Sequence, residues 1–133
     1  MKDKVKEFLK SNNYPQHVVD GGIERQLKSW ENLVDDIVNK DDWYEYEYLN
    51  DIESREILHK ILKILSHEEK EKYMEKIDEL DNKIKPHLVF IKNSVFGKSV
   101  EKRRQLNPQI NWWFYAWPKF AIDDGLVDLS QKE

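Results

Sequence analysis

Asn111-Trp112-Trp113-Phe114-Tyr115-Ala116-Trp117-Pro118-Lys119 holds three of the chain's five tryptophans within six positions. So much aromatic surface must be buried in a core, buried in a partner, or exposed at considerable cost. Closed by Pro118, the block reads as a short extended run. In a strand, Trp112, Phe114 and Ala116 face one way, onto helices, while Trp113, Tyr115 and Trp117 face the other as a candidate contact surface. Leu88-Val89-Phe90-Ile91, bounded by Asn93, Ser94 and Gly97, is a second β-prone run. Together the two predict a small C-terminal two-stranded element packed on helices.

Working towards the N-terminus, the periodicity becomes helical. Val5, Phe8 and Leu9 mark a short helix over residues 2–12, ended by Asn12-Asn13-Tyr14-Pro15. Asp20-Gly21-Gly22 reads as a turn or cap. Ile23, Leu27, Trp30, Leu33, Val34, Ile37 and Val38 then recur at steps of three and four, an amphipathic helix over residues 22–39. Asp42 followed by Glu45 suits a capping box for a third helix carried to Ser66 by Leu49, Ile52, Leu58, Ile61, Leu62 and Leu65. Tyr44, Tyr46 and Tyr48 alternate with Glu45 and Glu47, so an extended start is the competing reading there. Ser66-His67-Glu68-Glu69 is a cleaner capping box, opening a fourth helix through Tyr73, Ile77, Leu80 and Ile84 that Pro86 must end or kink. The fold class expected is mainly α: a four-helix domain over residues 1–122 with the small β element, and a flexible tail over 123–133.

Composition narrows the function. The chain has 133 residues, 36% of them charged, and a net charge of −4, which suits one folded domain. Zero cysteines exclude disulfides, thiol nucleophiles and thiolate metal sites. The charged start Met1-Lys2-Asp3-Lys4 lacks a signal-peptide core, and no apolar run approaches a membrane span, so a cytoplasmic protein is expected. Four glycines without a G-x-G or G-K-[ST] arrangement offer no phosphate cradle. His67-Glu68-Glu69-Lys70-Glu71 lacks the second histidine of a zinc-protease helix. Glu56-x-x-His59 matches one element of di-iron bundles, which need two such elements and further carboxylates. No catalytic residue, metal site or cofactor is expected.

Charge is unevenly spread. Nine acids against Lys40 and Arg55 give residues 35–56 a local net of −7, and six bases against Glu101 give residues 92–119 a local net of +5. The two blocks either face each other across the fold or mark two surfaces. The acidic block interleaves Trp43, Tyr44, Tyr46 and Tyr48 with its carboxylates, the amphipathic anchors that protein interfaces concentrate. Asp41, Asp42, Tyr44, Glu45, Tyr46 and Glu47 are therefore the candidate partner-binding residues, with carboxylates standing in for the phosphates that a basic cleft binds. The bland alternative packs Trp43 and two tyrosines into the core. A rival reading uses the basic aromatic segment 98–119 for single-stranded nucleic acid: Lys102, Arg103 and Arg104 track phosphate, and Trp113 and Tyr115 stack on bases. Against it stands the acidity of the whole chain.

Asn50-Asp51-Ile52-Glu53-Ser54-Arg55-Glu56, Ile77-Asp78-Glu79-Leu80-Asp81 and Trp112-Trp113-Phe114-Tyr115-Ala116-Trp117-Pro118 together resemble small uncharacterised proteins of Gram-positive bacteria, some of them similar to the immunity proteins of toxin systems. The likeness spans residues 42–119 and brings no catalytic residues. It implies a non-enzymatic protein-binding module that neutralises a toxin. The partner expected is another protein, such as a basic toxin domain, or a second copy of the chain in a homo-oligomer.

Overall fold

Steps of three and four along Ile23, Gln26, Trp30, Leu33 and Ile37 bury one stripe of the molecule's central helix, α2 (Gln16–Val38). A computed structural model describes residues 3–129. Around α2 pack α1 (Lys4–Ser11), α3 (Glu45–Ile64) and α4 (His67–Ile84). Two shorter helices follow, α5 (Lys98–Arg104) and α6 (Lys119–Asp123), with strands β1 (Leu88–Phe90) and β2 (Ala116–Pro118). The domain is mainly α, with one antiparallel strand pair near the C-terminus, in the register Leu88↔Pro118, Val89↔Trp117, Phe90↔Ala116. No helix among the described residues is long and apolar enough to cross a membrane.

Local chemistry sets the helix ends. Asp3 accepts from the amides of Val5 and Lys6 at the start of α1. Ser66 and Glu69 form the expected reciprocal capping box at α4, at 3.2 and 2.9 Å. A single 3-10 turn over Lys85–His87, with Pro86 inside it, follows α4. Two start positions differ from those the sequence predicts. Helix already begins at Gln16, and Gly21-Gly22 is a kink within it: Gly22 takes φ 62°, ψ −154°, a conformation open essentially to glycine. Asp42 does not cap α3. Tyr44 is the N-cap residue, extended and without a side-chain cap, and helix begins at Glu45.

The aromatic block departs most from expectation. Only Ala116–Pro118 is strand; Trp112–Phe114 is a 3-10 turn. Asn111 causes the difference. It is buried, donates Nδ2–H to Glu56 at 2.8 Å, and accepts at its carbonyl from the amide of Phe114 at 3.0 Å. The turn lacks two-sided alternation and the short strand is covered on both faces, so Trp113, Phe114, Tyr115, Ala116 and Trp117 are all buried. The contact surface expected of Trp113, Tyr115 and Trp117 is therefore core, and Trp117 packs against both Trp43 and Tyr48. Pro118 ends the strand and leads into α6, a helix that the sequence pattern does not announce. Beyond it, Gly125 at φ 74° turns the chain back, the Leu126 amide donates to Ala121 O at 2.8 Å, and Val127 is buried. The expected tail is thus packed on the domain at least to Val127, and residues 130–133 lie outside the described residues.

A buried polar cluster ties three helices. Asp81 of α4 accepts from Arg55 Nε and Nη2 of α3 at 3.0 and 2.7 Å, and from the Trp30 indole N–H of α2 at 3.0 Å. The Arg55 guanidinium lies 4.4 Å over the Trp113 ring. This arrangement fastens the C-terminal aromatic turn to the helical layer.

Candidate functional site

α2 ends at Val38, and Lys40 takes the left-handed conformation at φ 55°, which reverses the chain. The Asp41 amide then donates to Asp36 O at 3.0 Å, holding the connection against the helix end. Trp43 anchors the entry into α3. Its ring lies 5.5 Å from Tyr48, 6.2 Å from Trp117 and 6.5 Å from Phe120. Tyr48 is buried and donates its hydroxyl to Ala116 O at 2.7 Å, and burial raises its pKa. Between these two anchors stand Tyr44 and Tyr46, 61% and 78% exposed. Tyr46 is two residues before Tyr48, roughly 200° around the helix, so fixing one ring inward turns the other outward.

Of the six residues expected to bind a partner, Asp41, Asp42, Tyr44, Tyr46 and Glu47 are exposed and Glu45 is half-buried. The bland alternative holds for Trp43 and Tyr48 alone. The fold adds members that sequence order hides. Asp124 and Leu126, carried in by the turn after α6, join Lys40, Asp41, Asp42, Trp43, Tyr44 and Phe120 around a shallow cleft of about 270 Å³. Leu126 is itself 48% exposed.

Electrostatics concentrate on this face. Loss of hydration, then the carboxylates of Asp41 and Asp35, raise the pKa of Asp36. Loss of hydration, then Glu47 and Asp36, raise that of Asp51. Acids from α2, the connection and α3 therefore repel one another at close range, a potential that an incoming cation relieves. Asp35 is paired with Lys83 at 3.0 Å.

The basic segment is arranged differently. Arg104 forms a two-pronged pair with Glu53, both contacts at 2.9 Å, and lies 4.9 Å over Phe114. Here the acidic and basic blocks face each other. Tyr115 donates its hydroxyl to Glu101 at 2.7 Å. Trp113 and Tyr115 are 2% and 1% exposed, so neither ring is open to a base. Lys102 and Arg103 remain on the surface. Glu56, of the Glu-x-x-His pattern, is buried and accepts from Asn111, and the described residues hold no group of three His, Asp or Glu placed for a metal ion.

Comparison with protein-family models, with curated proteins and with solved structures finds no match to this chain.

Proposed function

We propose that this chain is a non-enzymatic, cytoplasmic protein-binding module whose acidic, tyrosine-bearing ridge docks on a basic surface of another protein, as an immunity protein fills the cleft of a toxin. One observation carries the reading. Tyr44 and Tyr46 stand exposed beside Asp41, Asp42 and Glu47, while Trp43 and Tyr48, in the same short stretch, lock the backbone beneath them. A ridge fixed in this way loses little conformational freedom on binding. Its charge accelerates the encounter with a cationic partner and rejects anionic ones. The cleft beside it sets the partly exposed Trp43 among Asp41, Asp42 and Asp124, three carboxylates against the single cation Lys40, a composition that favours an arginine side chain: an aromatic face and an excess of carboxylates.

Replacing Asp42 and Glu47 together by lysine tests the reading. Affinity for a partner captured from the native host should fall about 100-fold or more, with thermal unfolding nearly unchanged. Capture that survives both reversals would assign the interface elsewhere.

A further inference from the structure

The strand pair has two outer edges, and the fold treats them differently. Bonded and non-bonded residue pairs alternate along an antiparallel ladder, so one bond fixes the phase of the rest. The Ile91 amide donates to Tyr115 O at 2.8 Å. In the register Phe90↔Ala116, that makes Ile91↔Tyr115 and Val89↔Trp117 the bonded pairs. Leu88, Phe90, Ala116 and Pro118 therefore turn their backbone polar groups away from the ladder. Pro118 fits its place because no N–H is needed towards β1 there. The β2 edge is closed, since Ala116 O accepts from the Tyr48 hydroxyl of α3.

The β1 edge is open. The Leu88 amide donates to Lys85 O in the turn that leads into the strand. Leu88 O and both backbone polar groups of Phe90 find no partner among the described residues. A row of this kind is a template for a further strand. Beside it stands an aromatic and cationic face. Phe90 is 51% exposed, its ring lies 6.3 Å from Trp112, and Lys85 Nζ lies 4.6 Å over that indole. Residues 82–100 carry four lysines and no Asp or Glu, and residues 105–122 carry Lys119 and no acid, in a chain of net charge −4. Of these five, Lys83 is paired with Asp35. Two β1 edges joined antiparallel would set Lys92 of each copy against the Lys85-Pro86 end of the other, so like charge opposes a second copy.

We propose that the outer edge of β1 is a docking site, separate from the acidic ridge, for an extended acid-bearing segment of another protein, added as a third strand. Its backbone bonds to Phe90 N–H, Phe90 O and Leu88 O, one side chain covers the Phe90 ring, and its carboxylates meet Lys85 and Lys92. The backbone phase selects an extended chain over a helix, because only a strand presents donors and acceptors at this spacing. The charge of the surroundings selects an acidic segment over a basic one.

Amide NMR of the intact chain at low salt, titrated with a capped hexapeptide of alternating glutamate and valine, tests this. Saturable shifts should run from Leu88 to Lys92. Exchange of the Phe90 amide should slow at least about tenfold at saturation, as its N–H enters a hydrogen bond. The same peptide with lysine in place of glutamate should bind at least about tenfold more weakly. Phe90→Ala removes the ring and keeps the backbone donor. Phe90→Pro removes both, at a position whose N–H takes no part in the β1–β2 ladder. Affinity should fall about tenfold further with proline than with alanine, the scale of one lost hydrogen bond. If Phe90→Pro fails to fold, exchange at Phe90 in the unsubstituted chain decides alone. No saturable shift along β1, a bound peptide that leaves Phe90 exchange unchanged, or a lysine peptide that binds as well would each overturn the proposal. So would self-association without peptide binding, abolished by Phe90→Pro, which would give the edge to a second copy.

Discussion

Asp81 receives three hydrogen bonds within one buried cluster, and its partners come from two other helices. Removing it leaves Arg55 charged and uncompensated in the interior, which is far costlier than never having buried the pair. Asp81→Ala should lower unfolding free energy by about 3–5 kcal/mol in urea titration, and Asp81→Asn by less, because the amide oxygen still accepts. Tyr48→Phe is a smaller test of the same principle: it leaves the buried Ala116 carbonyl without the phenol donor, at about 1–2 kcal/mol. Neither pair is readable in order along the chain. Arg55 and Asp81 stand 26 positions apart and Tyr48 and Ala116 68 positions apart, and each pair is joined only by the fold. In the sequence, Asp81 is merely an acid within an otherwise apolar helical stripe.

At the scale of elements, periodicity is a good guide wherever the backbone bonds locally. α3 and α4 follow from apolar spacing, and the start of α4 from its capping box. Ser66→Ala should destabilise by about 1 kcal/mol, the ordinary value of such a cap. Pattern and structure part where tertiary contacts override local preference. Gly21-Gly22 resembles a boundary and is a kink, because the chain continues as helix on both sides of one residue that only glycine accommodates. Gly22→Ala places no atom in a clash, since a Cβ there meets nothing within 4 Å. Its whole cost is backbone strain, about 1–3 kcal/mol by thermal or urea unfolding. The aromatic run has the composition of a strand throughout, because ring-rich sequence favours strands. Half of it is a turn, because Asn111 is held by Glu56 fifty-five residues earlier.

For the molecule as a whole, charge placement makes a pH prediction with two opposed limbs. Glu69 is held down to about 2 by Lys4 and by its bonds to Ser66, so its contribution to stability is present above 4.5 and is lost as pH falls from there towards 2. Asp36 and Asp51 are shifted the other way. The folded state keeps their protons where the unfolded chain has released them, so their effect favours folding at low pH and fades as pH rises from about 3.8. Asp36→Asn should therefore raise the melting temperature at neutral pH, by the equivalent of about 0.5 kcal/mol, and flatten that decline. A protein that retains such repulsion on one face gives up stability there, which fits a surface completed by a cation from outside.

The candidate ridge is legible in part. Acids alternating with tyrosines mark residues 41–47, but which rings point outward depends on Trp43 and Tyr48 being seized by the C-terminal turn. The contributions of Asp124 and Leu126 arise from a chain reversal in a stretch whose composition suggests a loose end. Once a partner is in hand, hydrogen–deuterium exchange of the chain alone and in complex locates the contact directly. Slowed exchange across residues 41–49 and 124–127, with residues 98–106 unchanged, is the predicted footprint. Protection confined to 98–106, with 41–49 exchanging as freely as before, would contradict it.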